Sequence, residues 1–248
     1  MEHEESEPTK LFFRPISILY FIIIFLLTLF LLPFLLLVGS LFVKALGLPP
    51  LFTFAIFLLS LIGSHVNIPL LEVTSDEPIL TFEKIDFFGV SWFIPELRRR
   101  KVLVAVNLGG AVIPTIVSIY LLTVVVPMKA YPIFMAYSQI LLAFLIVTFA
   151  VHAVATPVKG LGIATPAVFP PMIAALTSVM LYCLNPSVNP FITAYVSGTL
   201  GTLVGADLLN LNKVSKLGAP IVSIGGAGTF DGIYLAGLMA VVLVFILV

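Results

Sequence analysis

Residues 16–39 read ISILYFIIIFLLTLFLLPFLLLVG, 24 residues without a charged side chain. A helix of about 20 apolar residues crosses the hydrocarbon layer of a bilayer, so this run alone points to a membrane protein. Pro33 is placed to kink it. The preceding tail, MEHEESEPTK, is acidic where a secretory signal needs a basic start, and no small-residue cleavage pattern follows the run. Ile16–Gly39 is therefore expected to be a retained span behind a cytoplasmic tail of residues 1–15. The rest of the chain is of the same kind. Hydrophobic residues make up 60% of the 248 and charged ones 10%, whereas a soluble domain carries roughly 25% charged residues.

Composition also excludes several classes. The formal net charge is zero, which removes a nucleic-acid-binding surface. Cys183 is the single cysteine, so neither an internal disulfide nor a cysteine metal site is available. The three histidines lack Glu or Cys partners at helical spacing, and no GxSxG, HExxH, Walker or Rossmann pattern occurs. No metal and no cofactor is expected.

Outward from the first run, hydropathy predicts an all-α polytopic fold of seven spans in one domain over residues 16–248. After Ile16–Gly39 they are Pro50–Leu71, Val102–Val126, Tyr137–Ala155, Pro171–Leu184, Pro190–Leu211 and a last helix starting near Thr229. The second is interrupted by Ser64, His65, Asn67 and Pro69. Glu72–Lys101 is a polar cytoplasmic insertion; its alternation over Ile79–Phe93 around Gly89 predicts a small hairpin, with an unstructured loop as the alternative. Thr156–Pro171 (TPVKGLGIATPAVFPP) holds four prolines and two glycines, which forbid a continuous helix.

Charge sets the orientation. With the N-terminus inside, the cytoplasmic segments hold Lys10, Arg14, Lys84, Arg98, Arg99, Arg100, Lys101, Lys159, Lys213 and Lys216, against Lys44 and Lys129 outside. That asymmetry is what the positive-inside rule requires, with the C-terminus external. An internal echo appears as well: LGGAVIPTIVSIYL at Leu108–Leu121 is similar to IGGAGTFDGIYL at Ile224–Leu235. His65-Val66-Asn67 echoes Ser187-Val188-Asn189 more faintly. Spans one to three then repeat as five to seven around a fourth linker, a parallel duplication seen in some carriers; close packing of small residues is the alternative origin.

Against this apolar background, Asp207 (in GTLVGADLLNL) and Asp231 (in IGGAGTFDGIYL) stand out. A carboxylate near hydrocarbon is costly unless paired, hydrated or neutral, which makes it a functional candidate. Both fall near the cytoplasmic ends of neighbouring spans, and two close carboxyls share a proton. Such a pair binds a proton or sodium ion, or activates water. In the plainer reading Asp231 caps the last helix beside Thr229, and Asp207 binds Asn210, Asn212 or Lys213. His152 and Lys159 border the proline-rich break, and Asn107 opens the broken segment NLGGAVIP. Broken backbone at membrane depth lines a cavity or a packed core. The expected ion- or substrate-binding set is Asp207, Asp231, Asn210, Thr229, Asn107, His152 and Lys159.

The ordered motifs NLGGAVIPTIVSIYLL, PVKGLGIATPAVFPP, GTLVGADLLNL and IGGAGTFDGIYL resemble an uncharacterised family of prokaryotic membrane proteins, domain of unknown function 1614. The likeness runs from about Ser64 onward and implies a membrane class without an activity. Gly205-Ala206-Asp207 and Phe230-Asp231 also resemble the Gly-x-Gly-Asp and aromatic-Asp sites of intramembrane aspartyl proteases, in reversed order and with Val204 in place of the first glycine. The expected function is a small carrier or ion-coupled transporter using the Asp207–Asp231 pair. An intramembrane aspartyl peptidase with the same residues catalytic is the alternative, and a scaffold with structural Asp caps a third. The bilayer and a proton or sodium ion are the expected partners. Glu72–Lys101 is the one segment able to dock a protein.

Overall fold

The computed structural model describes residues 12–13, 22, 25–26, 39–40, 42–87, 90–160, 162–226 and 232–248. Most of the first apolar run, Ile16–Gly39, lies outside them. The second apolar segment gives helix α1 (Pro50–Gly63). Pro50 opens it, where a missing N–H is harmless, and the Thr53 hydroxyl donates to the Pro49 carbonyl at 3.1 Å. The helix stops eight residues before hydropathy suggests, and the chain leaves as a strand.

That strand is long. With β1 at Phe12–Phe13, β2 (Val66–Phe87) and β3 (Val90–Asn107) form an antiparallel ribbon from the Asn67–Asn107 pair to the Phe87–Val90 pair. Its two register shifts fall at Pro69/Leu71 and Thr74/Pro78, each at a residue with no N–H for the ladder. The all-α expectation is thus corrected to helices plus a sheet, and the loop alternative is overturned. The expected turn at Gly89 is bracketed by the last pair, although Gly89 itself lies outside the described residues. Residues 66–71 and 102–107 are strand rather than span. An apolar strand with neighbours on both sides reads as a continuous hydrophobic run, which periodicity cannot separate from a short helix.

Helix α2 (Leu108–Lys129) follows β3 and contains π turns at Leu108–Val112 and Leu121–Val125. Then come α3 (Ile133–Val154), the small hairpin β4 (Thr156–Val158) and β5 (Gly162–Ala164), and α4 (Phe169–Leu184). The predicted break at Thr156–Pro171 is therefore this hairpin and the turn after it. Helix α5 (Pro190–Lys216) is α-helical to Thr202, a π turn over Leu203–Asp207 and 3-10 from Leu208. Strand β6 (Ile221–Ile224) leads to α6 (Gly232–Leu247). The sheet order is β1-β2-β3-β6, with β6 parallel to β3.

Helices α2, α3 and α5 are long and apolar enough to cross a membrane. The described α1, α4 and α6 have 14, 16 and 16 residues, about 21–24 Å at 1.5 Å per residue. Close contacts set their directions. Phe52 meets Tyr120 at one end of α1 and Gly63 meets Gly109 at the other, so α1 and α2 are antiparallel. Phe191 stacks on Phe245 and Gly198 faces Ala236, so α5 and α6 are antiparallel too. Val147 meets Gly201 and His152 meets Asn210, so α3 and α5 run parallel.

Two polar ends result. The Asn189 amide donates to the Ala45 carbonyl, and Lys129 lies against Gly47. At the sheet end, the Ser75 hydroxyl donates to the Ser215 carbonyl, and the Gly160 N–H to the Leu217 carbonyl.

Helix α5 is the centre: eleven of the thirteen residues Pro190–Thr202 are buried. Outside it the distribution inverts that of a soluble protein. Leu51, Phe54, Leu58, Leu142, Phe149, Leu176 and Met180 face outward, while Ser118, Thr193, Ser197 and Asn210 are buried. Apolar outside and hydroxyl inside is the pattern of helices packed in lipid, where small and polar residues mediate helix contact.

Candidate functional site

Two polar knots lie at the sheet end of the bundle. The first joins the two strand-to-helix junctions. β3 ends at Asn107 and continues as Leu108-Gly109-Gly110; β6 carries Ser223 and continues as Ile224-Gly225-Gly226. Because β3 and β6 pair in parallel, with Val106 opposite Ile224, the echoed motifs lie side by side. Their polar residues converge on one side chain. Asn107 Nδ2 donates to Asn67 Oδ1 at 3.1 Å, and Ser223 Oγ donates to the same oxygen at 2.6 Å.

Asn107 does more. Its Nδ2 also donates to the Ser64 carbonyl at 2.7 Å, and its Oδ1 accepts the Gly110 N–H at 2.8 Å, capping α2. The glycines are there for contact. A Cβ on Gly109 would overlap the Ser60 carbonyl, and one on Gly226 would lie 2.6 Å from Ser223 Oγ. Gly225 has φ +73°, a conformation open to glycine and costly for other residues.

The second knot surrounds the π turn. Such single turns loosen the backbone ladder inside a helix and recur at functional sites. Here Asn210 Nδ2 reaches back to the carbonyls of Gly205 (3.1 Å) and Ala206 (2.8 Å). His152 Nδ1 lies 3.3 Å from the Gly205 carbonyl and 3.2 Å from Asn210 Nδ2. The two carbonyls take up both Asn210 amide hydrogens. Asn210 Oδ1 is buried without a partner among the described residues. Gly205 permits the arrangement, since a Cβ there would overlap the Thr148 carbonyl of α3. Asp207, half-buried, ends the π turn.

Of the expected set, the structure brings His152 and Asn210 together at this turn, which Asp207 ends. Asn107 belongs to the other knot. Lys159 is exposed, between β4 and β5. Asp231 and Thr229 lie outside the described residues; α6 begins at Gly232, whose nearest neighbouring side chain is Thr165, just beyond β5. β5 itself packs on the π turn. Ser64 Oγ donates to the Leu61 carbonyl at 2.7 Å and lies 3.3 Å from His65 Nδ1, an arrangement internal to the α1 end.

Sequence reasoning missed Asn67 as the hub and Ser223 as the partner of Asn107. The signal was available one residue upstream of the echo, where Asn107-Leu108-Gly109-Gly110-Ala111 matches Ser223-Ile224-Gly225-Gly226-Ala227.

A family model described as "Protein of unknown function (DUF1614)" matches residues 61–243. The chain belongs to this family. The DUF1614 match begins inside α1 and ends inside α6, so it contains both strand-to-helix junctions and the π turn, and it leaves out the run Ile16–Gly39. No curated protein and no solved structure matches the chain.

Proposed function

We propose that this DUF1614 protein is a multi-pass carrier of the cell membrane that binds its coupling cation at Asp207, with Asp231 as the second carboxylate. The reading takes seven spans, the N-terminus cytoplasmic and the C-terminus external. The sheet end is then cytoplasmic, in keeping with Lys159, Lys213 and Lys216 lying there and Lys44 and Lys129 at the other end.

The observation that carries it is the π turn at Leu203–Asp207 in the most buried helix of the bundle. A carboxylate that ends a π turn within a membrane-length helix, two residues from the carbonyl that His152 and Asn210 meet, has the composition of a carrier's ion site.

The test is ion entry into proteoliposomes under an imposed gradient, read with tracer Na⁺ and an internal pH dye. Asp207→Asn and Asp231→Asn should each abolish entry of the coupling ion while the thermal transition is kept. Unchanged entry in both variants refutes the carrier reading. Specific cleavage of membrane-bound peptides lost in either variant would establish the peptidase instead.

A further inference from the structure

Helices α3 and α5 contain more polar atoms than they pair. Among the described residues, Gln139 Oε1, Thr148 Oγ1, Thr193 Oγ1, Ser197 Oγ, Thr199 Oγ1, Thr202 Oγ1 and Asn210 Oδ1 are buried oxygens with no hydrogen-bond partner. Each of these residues is at most 7% exposed. Buried polar atoms are almost always paired, so seven on two touching helices require an explanation. Packing alone does not supply one, because alanine or valine would fill the same volumes without the desolvation cost.

Part of the set lies along one seam. Thr193, Ser197, Gly201 and Gly205 recur every four residues and so occupy one stripe of α5. The last two abut α3, Gly201 at Val147 and Gly205 at Thr148. Carrying the Val147–Gly201 level back along both parallel helices puts Ala143 level with Ser197, and Gln139, whose amide donates to the Leu181 and Asn185 carbonyls at the end of α4, level with Thr193. A cavity of about 330 Å³ lies at the same outer end of the bundle, lined by Val126, Tyr182, Ser187, Asn189, Phe191 and Ile192, with exposed Lys129 on its rim. The inner end of the seam is the His152–Asn210 knot at the turn that Asp207 ends.

We infer that this seam is the route of a small alkali cation, Na⁺ or an ion like it, between the outer end of the bundle and Asp207. The unpartnered atoms are neutral oxygens, the ligand type that replaces the hydration shell of alkali cations in selective pores. Their hydroxyls can donate as well as accept, and the Asp207 carboxylate at the inner end favours a cation. The packing is tight, since a Cβ on Gly201 would lie 2.7 Å from Val147 Cγ1. A cation therefore passes when α5 shifts against α3, and the row of small residues gives that movement a smooth surface. This rests on the carrier reading and adds the path and the ion class.

Cysteine accessibility tests it on the full chain in proteoliposomes. Cys183 is the single native thiol, so Cys183→Ala provides the background. Thr193→Cys, Ser197→Cys and Thr148→Cys probe the seam; Leu142→Cys and Phe149→Cys probe the outward face of α3, where both residues are exposed. Thiols react as thiolates, which form in water and not in lipid, so an impermeant methanethiosulfonate should modify the seam positions at least about tenfold faster than the controls. About 100 mM NaCl in place of N-methylglucamine chloride should slow that modification several-fold by occupancy.

Seam cysteines no faster than the controls, in variants that keep the wild-type thermal transition, overturn the route. Modification unaffected by Na⁺ overturns the ion class and leaves a water-filled seam. Thr193→Val and Ser197→Ala guard against misfolding in the cysteine variants: both should fold and lose Na⁺ entry. If Asp207→Asn abolishes entry while the seam stays inert, the carrier reading survives and this inference fails. A reactive, Na⁺-protected seam with Asp207→Asn indifferent gives the converse.

Discussion

Gly205→Ala is a direct test of how closely α3 and α5 approach. On elementary grounds the change should stabilise, since alanine is favoured over glycine in a helix by about 1 kcal/mol. The structure predicts the opposite. The new methyl would overlap the Thr148 carbonyl and lie 3.2 Å from the His152 backbone nitrogen. Both are backbone atoms of a 22-residue helix, so no side-chain rotation relieves the clash. The helices must part by about 1 Å to restore van der Waals distance.

Overpacking of this kind costs about 1–3 kcal/mol. The movement also lengthens the bonds that His152 and Asn210 make to the Gly205 carbonyl, at 3.3 and 3.1 Å. A net loss of about 1–2 kcal/mol is expected, which corresponds to a fall in Tm of roughly 2–8 °C for a chain of this size. Circular-dichroism melting in mild detergent measures it. Gly232→Ala is the matched control: its nearest neighbour among the described residues is Thr165 Oγ1 at 3.8 Å, so Tm should hold or rise. A Gly205→Ala variant that melts at or above the wild type would falsify the close approach.

Other outcomes follow from the sheet and its junctions. Asn107→Ala removes the α2 cap and strands the Ser64 carbonyl, and should cost about 2–3 kcal/mol in the same melt, whereas Asn107→Asp keeps the cap acceptor and should recover part of it. Hydrogen exchange should divide the ribbon. Residues 103–106, flanked by β2 and β6, exchange slowly, while residues 79–97, paired only within the ribbon among the described strands, exchange fast, because an isolated two-stranded hairpin is marginal. Uniform protection along both strands would contradict this division. The Lys101–Glu72 ion pair, 3.1 Å long with side chains 69% and 55% exposed, should contribute at most about 1 kcal/mol. Lys101→Ala should leave Tm unchanged within error.

Much of the site was legible because its signals are local. Pro157 and Pro166, with Gly160 and Gly162 at positive φ between them, prevent a continuous helix, and the chain turns there before α4 starts at Phe169. Asp207 and Asn210 were conspicuous because charged and amide side chains are rare in apolar runs. His152 entered the expected set only as a histidine bordering the proline-rich break. What joined it to Asn210 was the parallel packing of α3 on α5, a contact across 58 residues of sequence. The repeated Gly-Gly pairs were visible as an echo, but not that their polar neighbours meet on Asn67.

The sequence by itself determined the solvent. Runs such as Ile133–Val154 exclude an aqueous surface by composition, whatever they pack against, since transfer of apolar area from water is additive and local. Only the tertiary structure decided where helix gives way to strand. Val66–Leu71 and Val102–Asn107 are as apolar as the spans they adjoin. Their backbone hydrogen bonds are satisfied by partners distant in sequence, Phe12–Phe13, each other and Ile221–Ile224. Whether a short apolar run closes its bonds within itself or across a sheet depends on that partner strand, and no window of local sequence contains it.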